Sequence, residues 1–353
     1  GTIYLKGNEI TRDVKKAIYY YNLSADLNCS LAQCNLGYVY YKGEYNEAPR
    51  DINKAIHYFT LAAKNHQPDS CLNLGYIYLM EKSIKQDINK AIFYLSKAAS
   101  YNISSAFYWL GWSYYLIQPE NPDVNKMIQC FFLAAKEGNS EALIYLGIIF
   151  YEGLFVKKDI EKGIKYLTMA SEKENCQASF CLGFIYQKKK DFEKAIFYYK
   201  ESSLILDNYS RNNLGIIYKN GNGKEIPKNV EYAIELFDEC IRCKNDEISM
   251  YNLAHIYIYE QPNEENINKS IELLIKSIEK GFYHSLELLC IVLIQKVGCD
   301  IEKVKKEIEK FLPSSSDIPT KVCRMIKSKK LLIQSCFEEQ FLFYEEVDFL
   351  YTF

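Results

Sequence analysis

One stretch decides the fold, Ala32-Gln33-Cys34-Asn35-Leu36-Gly37-Tyr38-Val39-Tyr40, because its pattern recurs along the chain. The pattern is a small residue, a Leu-Gly pair at the fourth and fifth positions after it, and an aromatic residue three positions further. Its leucine recurs, with most of the surrounding pattern, at Leu74, Leu110, Leu146, Leu182, Leu214, Leu253 and Leu289. Successive leucines are 32 to 39 residues apart, and such a period is typical of an array of stacked repeats.

A second motif follows the first in most copies. It begins with an aspartate, as in Asp51-Ile52-Asn53-Lys54-Ala55, and carries an aromatic residue seven positions after that aspartate. Both motifs space small and apolar residues by threes and fours, which predicts two amphipathic helices per copy. The aspartate is a favourable N-cap, because its carboxylate accepts hydrogen bonds from first-turn amides. We predict strand-free helical hairpins over residues 11–312, whose second helices begin near Asp13, Asp51, Asp87, Asp123, Asp159, Asp191, Asn229, Asn266 and Asp300.

Glycine and alanine at fixed positions, such as Gly37 and Ala55, predict close packing between the two helices of a hairpin. A larger side chain at these positions would hold the helices apart. A single hairpin cannot bury its apolar face alone, so neighbouring hairpins are expected to stack on one another.

Together the two motifs resemble the Sel-1-like repeat, a relative of the tetratricopeptide repeat. The resemblance implies an all-α fold, a right-handed α-α superhelix of about eight helical hairpins that acts as a scaffold for protein partners. We predict that residues 1–312 form this array, with a truncated first repeat and a capping last repeat. Residues 313–319, bounded by Pro313 and Pro319, are predicted to be a linker, and residues 320–353 a helical and aromatic tail.

The start of the chain falls inside the first motif. Gly1, Tyr4 and Gly7 align with Gly37, Tyr40 and Gly43. The chain is therefore expected to open within a first helix and to be part of a longer protein.

Composition bears mainly on partners and compartment. The net charge of −2 gives no overall electrostatic signature of binding to nucleic acid or to an anionic membrane, and no apolar run reaches the ~18 residues of a membrane span. The twelve cysteines fall at no common repeat position, which predicts reduced thiols and a cytoplasmic protein. The opposing observation is a set of five Asn-x-Ser sequons, at Asn22, Asn28, Asn102, Asn208 and Asn268.

No constellation typical of catalysis is visible in the sequence. The four histidines have no metal-ligand spacing with Cys, Asp or Glu. Cys240 and Cys243 form a single Cys-x-x-Cys without a second pair, and Gly221-Asn222-Gly223-Lys224 lacks the strand and spacing of a phosphate-binding loop. We therefore predict a protein that is not an enzyme and that holds no metal or cofactor.

The face of each first helix that points away from its partner helix is the candidate binding surface. At 100° per residue this face holds the positions two and one before the motif leucine and two and five after it. These positions are aromatic, aliphatic or Asn instead of charged, which favours either packing against the next hairpin or a binding wall. The predicted peptide-binding residues on a concave wall are Asn35, Asn73, Asn213, Asn252, Tyr38, Tyr76, Tyr108, Trp109, Trp112 and Tyr115.

The asparagines support two interpretations. An amide offers a donor and an acceptor that match a peptide unit, and the resemblance to superhelical repeats implies that such residues clamp an extended ligand. The alternative is that they tether neighbouring helices.

Three functions remain open at this point. The first is a non-catalytic scaffold or adaptor that binds an extended peptide or a helix. The second is the regulatory repeat region of a larger enzyme such as a kinase, and the third is RNA binding, which would require Lys and Arg on the inner wall. The aromatic tail is expected to cap the last repeat, to fold into the groove or to mediate self-association. The sequence identifies no particular partner.

Overall fold

The computed structural model describes residues 1–6, 11–45, 48–119, 122–203, 208–221, 226–297, 300–311, 318–319 and 321–322. This part of the chain contains 18 helices and one pair of two-residue strands. Chain contacts divide the protein into two compact units, Gly1–Lys173 and Glu174–Phe353.

The first unit consists of helical hairpins in which each odd-numbered helix packs against the even-numbered helix that follows. The second helix of a hairpin also contacts the first helix of the next one, so the hairpins stack in chain order. Its elements are α1 (Thr2–Lys6), α2 (Val14–Asp26), α3 (Ser30–Lys42), β1 (Glu44–Tyr45), β2 (Ala48–Pro49), α4 (Ile52–Lys64), α5 (Pro68–Met80), α6 (Ile88–Ala99), α7 (Ser104–Leu116), α8 (Val124–Lys136), α9 (Ser140–Glu152) and α10 (Ile160–Ser171).

The second unit repeats the same arrangement of stacked hairpins. The predicted all-α solenoid fold is thus confirmed, with hairpins of the predicted kind along both units. Its elements are α11 (Cys176–Lys188), α12 (Phe192–Ser203), α13 (Asn208–Asn220), α14 (Val230–Lys244), α15 (Glu247–Tyr259), α16 (Glu264–Glu279), α17 (Ser285–Val297) and α18 (Ile301–Glu309).

The prediction of no strand within residues 11–312 is wrong at one place. β1 and β2 form an antiparallel ladder, with Glu44 opposite Pro49 and Tyr45 opposite Ala48. The ladder follows Gly43, whose left-handed φ of 61° ends α3. Ala48 is buried and β2 contacts α3. The long connection between α3 and α4 therefore folds back onto its own hairpin.

The predicted aspartate caps are present at the second helices. The Asp51 carboxylate accepts a hydrogen bond from the Lys54 backbone N–H at 2.9 Å, and the same contact recurs at Asp13, Asp87, Asp123, Asp159 and Asp191. The Lys54 ammonium lies 5.1 Å from the ring centre of Tyr40 on the first helix, so the motif lysine also joins the two helices. One boundary differs from the prediction: α16 begins a turn before Asn266, because Asn263 caps it.

Each glycine of the Leu-Gly motif lies under a large side chain from the second helix of its own hairpin. A Cβ atom on Gly37 would lie 2.6 Å from the Phe59 ring, and one on Gly111 would lie 2.8 Å from the Phe131 ring. The other pairs are Gly75 with Leu95, Gly147 with Leu167, Gly183 with Tyr199 and Gly215 with Phe237. We call each such pair a glycine lock. The locks explain why the two helices pack closely and why glycine recurs at this position.

Backbone geometry accounts for several of the sequon asparagines. Asn28 and Asn102 follow α2 and α6 with left-handed φ values of 60° and 59°, a conformation that Asn adopts more readily than most residues. The corresponding position after α8 is a glycine, Gly138, with a φ of 90°. Asn208 is 3% exposed, and its amide donates to the Cys240 carbonyl oxygen at 3.3 Å. These asparagines therefore have structural roles that are independent of glycosylation.

The last hairpin, α17–α18, ends on a buried ion pair and an added apolar layer. Burial raises the pKa of Glu307, but hydrogen bonds from Lys296 and Lys310 outweigh this effect and leave the pKa lowered. Ile318 and Val322 are 3% and 0% exposed and belong to the core of this hairpin. Ile318 falls within the predicted linker, so this part of residues 313–319 packs on the array. The rest of the predicted tail lies outside the described residues.

Candidate functional site

The candidate site lies on the first helices of the first unit, on the side away from the second helices. We call this surface the first-helix wall, and define it by the predicted residues of α3, α5 and α7 together with Tyr145 and Tyr151 of α9. The first helices of successive hairpins touch one another, α3 with α5 and α5 with α7. The predicted residues on the wall are Asn35, Tyr38, Asn73, Tyr76, Tyr108, Trp109, Trp112 and Tyr115.

The structure brings the predicted aromatic residues of α5 and α7 into one cluster. The Trp109 ring meets the rings of Tyr76 and Tyr108 edge-to-face, with both centroid distances 4.9 Å. Trp112 meets Tyr115 at 5.6 Å, also edge-to-face. This is a favoured geometry for aromatic pairs and adds to the gain from burial.

Exposure differs among these rings in a way that matters for binding. Tyr76, Trp109, Trp112 and Tyr115 are half-buried, whereas Tyr108 is only 9% exposed. Burial raises the pKa of the Tyr108 hydroxyl, although contacts with Trp112 and Tyr145 oppose the rise. Tyr108 therefore packs on the buried side of the cluster. Trp109, Trp112, Tyr76 and Tyr115 present ring surface to solvent.

Two aromatic residues that the prediction did not include join the cluster. Tyr145 of α9 lies edge-to-face with Trp112 at 5.0 Å. Phe155 is 46% exposed and has a left-handed φ of 62°, and its ring lies 6.2 Å from that of Tyr115. Tyr145 occupies the position one before the motif leucine, so its place on the wall was readable. Phe155 lies in a loop after α9, where helical periodicity gives no signal.

The asparagines of the first unit lie at the other end of the wall. Asn73 is half-buried, donates to the Asp69 carbonyl oxygen at 2.6 Å and is also hydrogen-bonded to the Tyr38 hydroxyl. Tyr38 is 39% exposed, and burial raises its pKa despite this hydrogen bond. Asn35 is half-buried. The polar groups of these three residues thus lie on two adjacent first helices.

For Asn213 and Asn252 the prediction of a peptide clamp needs correction. Both side chains are 0% exposed. The Asn213 amide donates to the Tyr199 hydroxyl at 3.0 Å, and the Asn252 amide donates to the Asn212 side-chain oxygen at 2.9 Å. Each bond joins neighbouring hairpins of the second unit, which is the tethering role. We therefore leave both residues out of the proposed site.

The remaining sequence motifs give no second site in the described residues. There, no group of three or more His, Cys, Asp or Glu side chains is placed to hold a metal ion. Cys240 is buried and Cys243 exposed, both as free thiols, like the other seven cysteines of the described segments. No described helix combines the length and apolar composition that crossing a bilayer requires.

Comparison with protein families identifies the repeat. The Sel1 repeat model matches residues 1–29, 30–66, 68–100, 140–175, 181–204, 208–239 and 248–282, which is more than half of the chain. The hairpin α7–α8 is not covered by a match, although both of its neighbours are. The most aromatic first helix thus belongs to a hairpin outside the matched ranges.

Solved structures show the same fold. A protective antigen of uropathogenic Escherichia coli strains, described as displaying an SLR fold, aligns with a TM-score of 0.68 at 21% identity, over 93% of this chain and 71% of its own. A Sel1 repeat protein from Oxalobacter formigenes aligns with a TM-score of 0.51 at 30% identity, over 57% of this chain and 83% of its own. No curated protein matches the chain.

Proposed function

Because this chain belongs to the Sel1 repeat family, whose members generally act as scaffolds for protein interactions, we propose that it is a non-catalytic scaffold that binds a partner on its first-helix wall. The bound element is an extended peptide or a helix of the partner protein. It lies across α3, α5, α7 and α9, and its main contacts are with α7.

The aromatic cluster on α7 is the observation that supports this proposal. Both tryptophans of the chain, Trp109 and Trp112, are on this one helix, and both keep part of their surface exposed. Trp and Tyr are the residue types that most often dominate binding energy at protein interfaces.

The polar end of the wall, Asn35, Asn73 and Tyr38, sets the direction and register of the bound ligand in this proposal. Asn35 and Asn73 are half-buried on adjacent helices, so their amides can meet both the C=O and the N–H groups of a ligand backbone. The Tyr38 hydroxyl, which bonds to Asn73, adds a further group that can donate or accept. We propose that these residues hold the ligand backbone while the aromatic cluster holds its side chains.

The charge of the wall argues against RNA binding. The first helices α5, α7 and α9 contain no Lys or Arg and α3 contains one Lys, Lys42, whereas RNA recognition depends on cations along the path of the phosphates. A role as the regulatory repeat region of a larger enzyme stays compatible with the scaffold proposal, since it specifies where the wall is used and not how it binds.

A peptide selection tests the proposal. A displayed library of random peptides, each about 12 residues long, is selected on the full chain and then counter-selected on a Trp109→Ala/Trp112→Ala variant whose helix content is verified by circular dichroism. We expect peptides whose affinity falls by about tenfold or more in the variant. Selected peptides that bind both proteins equally would refute the assignment of the wall.

A further inference from the structure

From α4 to α9, charges are segregated between the two kinds of helix. The first helices α5, α7 and α9 carry three charged side chains, and all three are acidic: Asp69, Glu141 and Glu152. The second helices α4, α6 and α8 carry six lysines and no acidic residue within their bounds. The wall helices α5 and α9 are therefore acidic on a protein whose net charge is only −2, whereas α3 carries one charged residue, Lys42.

The three carboxylates are spread along the wall, and Glu141 lies near the aromatic cluster. Each carboxylate is exposed. Burial raises the pKa of three wall tyrosines, and a nearby carboxylate raises each of these pKa values further. The pairs are Tyr108 with Glu141, Tyr38 with Asp69 and Tyr151 with Glu152. Asp69 and Glu141 lie in the first turns of α5 and α9, and Glu152 is the last residue of α9. The α7 rings thus lie between helices that bear only negative charge.

Two cations at the margin of the wall are already engaged. Arg50 pairs with Glu81 and lies 5.7 Å from the ring centre of Tyr41. Lys158 lies 5.4 Å from the ring centre of Tyr151. These marginal tyrosines show that rings of the first helices accept a cation over the face. Within the described part of the chain, by contrast, no Lys or Arg lies over Trp109, Trp112 or Tyr115.

We infer that the segment bound by the first-helix wall is basic, with Lys or Arg side chains over the α7 rings and paired with Glu141, Asp69 and Glu152. This inference rests on the proposed function and adds the chemistry of the partner. A cation over the face of Trp or Tyr is attracted by the ring quadrupole, and the exposed carboxylates along the wall add to that attraction. An acidic segment would meet like charge from α5 and α9 and would find no Lys or Arg on α7.

The selection described above also measures the charge of the ligand. The peptides that depend on Trp109 and Trp112 should carry, on average, at least about two more positive charges than the input library. Their affinity should fall as salt is raised, since exposed charges are screened over about 10 Å at 0.1 M salt.

Matched variants separate local from overall charge. The wall variant is Asp69→Asn/Glu141→Gln/Glu152→Gln, and the control is Glu137→Gln/Glu161→Gln/Glu172→Gln, three exposed carboxylates on or beside α8 and α10. Both variants remove the same charge from the first unit. We expect the wall variant to weaken binding of a Trp-dependent peptide by about tenfold and the control by less than about twofold.

The outcomes distinguish the two proposals. Trp-dependent peptides that are neutral or acidic, or an equal loss in the two variants, would overturn the basic-ligand inference and leave the scaffold proposal standing. A selection that yields no Trp-dependent peptide would overturn both.

Discussion

Gly163 of α10 allows a direct test of how closely two helices of a hairpin approach each other. In most other second helices this position is a fully buried alanine: Ala17, Ala55, Ala91, Ala195 and Ala233. Alanine favours a helix by about 1 kcal/mol over glycine, so the repeat pattern alone predicts that Gly163→Ala stabilises the protein. At Gly163, however, a Cβ atom would lie 2.7 Å from the Tyr151 backbone nitrogen.

The structure predicts the opposite sign for this substitution. The same Cβ atom would lie 2.8 Å from the Gly147 carbonyl oxygen. Backbone atoms cannot rotate away as a side chain can, so α9 and α10 must separate and weaken the neighbouring lock of Gly147 with Leu167. Overpacking of this kind costs about 1–3 kcal/mol. After the gain in helix propensity of about 1 kcal/mol, we expect a net loss of about 0–2 kcal/mol.

Urea unfolding followed by circular dichroism gives the change in the free energy of unfolding, and hydrogen exchange locates it. Exchange should rise most in α9 and α10, because each hairpin is coupled mainly to its neighbours. Ala91→Gly is the matched control and should also destabilise, by about 1 kcal/mol or more. If Gly163→Ala were more stable than the parent protein by the full helix-propensity gain of about 1 kcal/mol, the close approach of α9 and α10 would be refuted.

Three further predictions concern titrating groups. Hydrogen bonds from the Ser24 hydroxyl and from first-turn amides of α3 lower the pKa of exposed Cys29, so Cys29→Ser should remove the fastest thiol in a reaction of the native protein with a disulfide reagent. Hydrogen bonds donated by Lys90 and Lys126 lower the pKa of the capping carboxylates of Asp87 and Asp123. The ionised carboxylates stabilise the folded protein above their unfolded pKa, and this stabilisation is lost as pH falls through their folded pKa. The urea midpoint should therefore fall less between about pH 5 and pH 3 in Asp87→Asn/Asp123→Asn than in the parent protein. Burial lowers the pKa of His255 to about 4. The folded protein therefore loses stability as pH falls from about 6.5 to about 4, because the unfolded chain takes up a proton at His255 and the folded protein does not. In His255→Gln this loss should be smaller by up to about 3 kcal/mol, as measured by urea unfolding across the same pH range.

Most of the fold was readable from the sequence, because each hairpin carries its own signals. The Asp-x-x-Lys cap and the Leu-Gly pair set both helices of a repeat without reference to the rest of the chain. The boundary of α16 was predicted a turn late, since Asn266 was assigned by its spacing within the repeat. Locally, Asn263 followed by two glutamates is the stronger helix start. The β1–β2 ladder was missed because a two-residue pairing has no periodicity to detect.

Less of the site was readable, because exposure depends on the neighbouring hairpin. Asn73 and Asn213 occupy the same position in the repeat, one residue before the motif leucine. In the hairpin that precedes Asn73, Phe59 covers the motif glycine. In the hairpin that precedes Asn213, Tyr199 covers it. Only Tyr199 has a hydroxyl, and it accepts from the Asn213 amide. The difference thus lies in a side chain of another repeat, which a helical wheel of one helix cannot show.

The glycine locks also bear on how a gene for such an array changes length. The glycine and the residue that covers it recur at the same two positions, and Phe, Leu and Tyr all serve as covers. An unequal crossover between two repeats therefore joins the first helix of one to the second helix of another with a lock still in place. Hairpins can be gained or lost one period at a time with the lock preserved, and a specialised helix such as α7 can move to a new place in the array as a genetic unit.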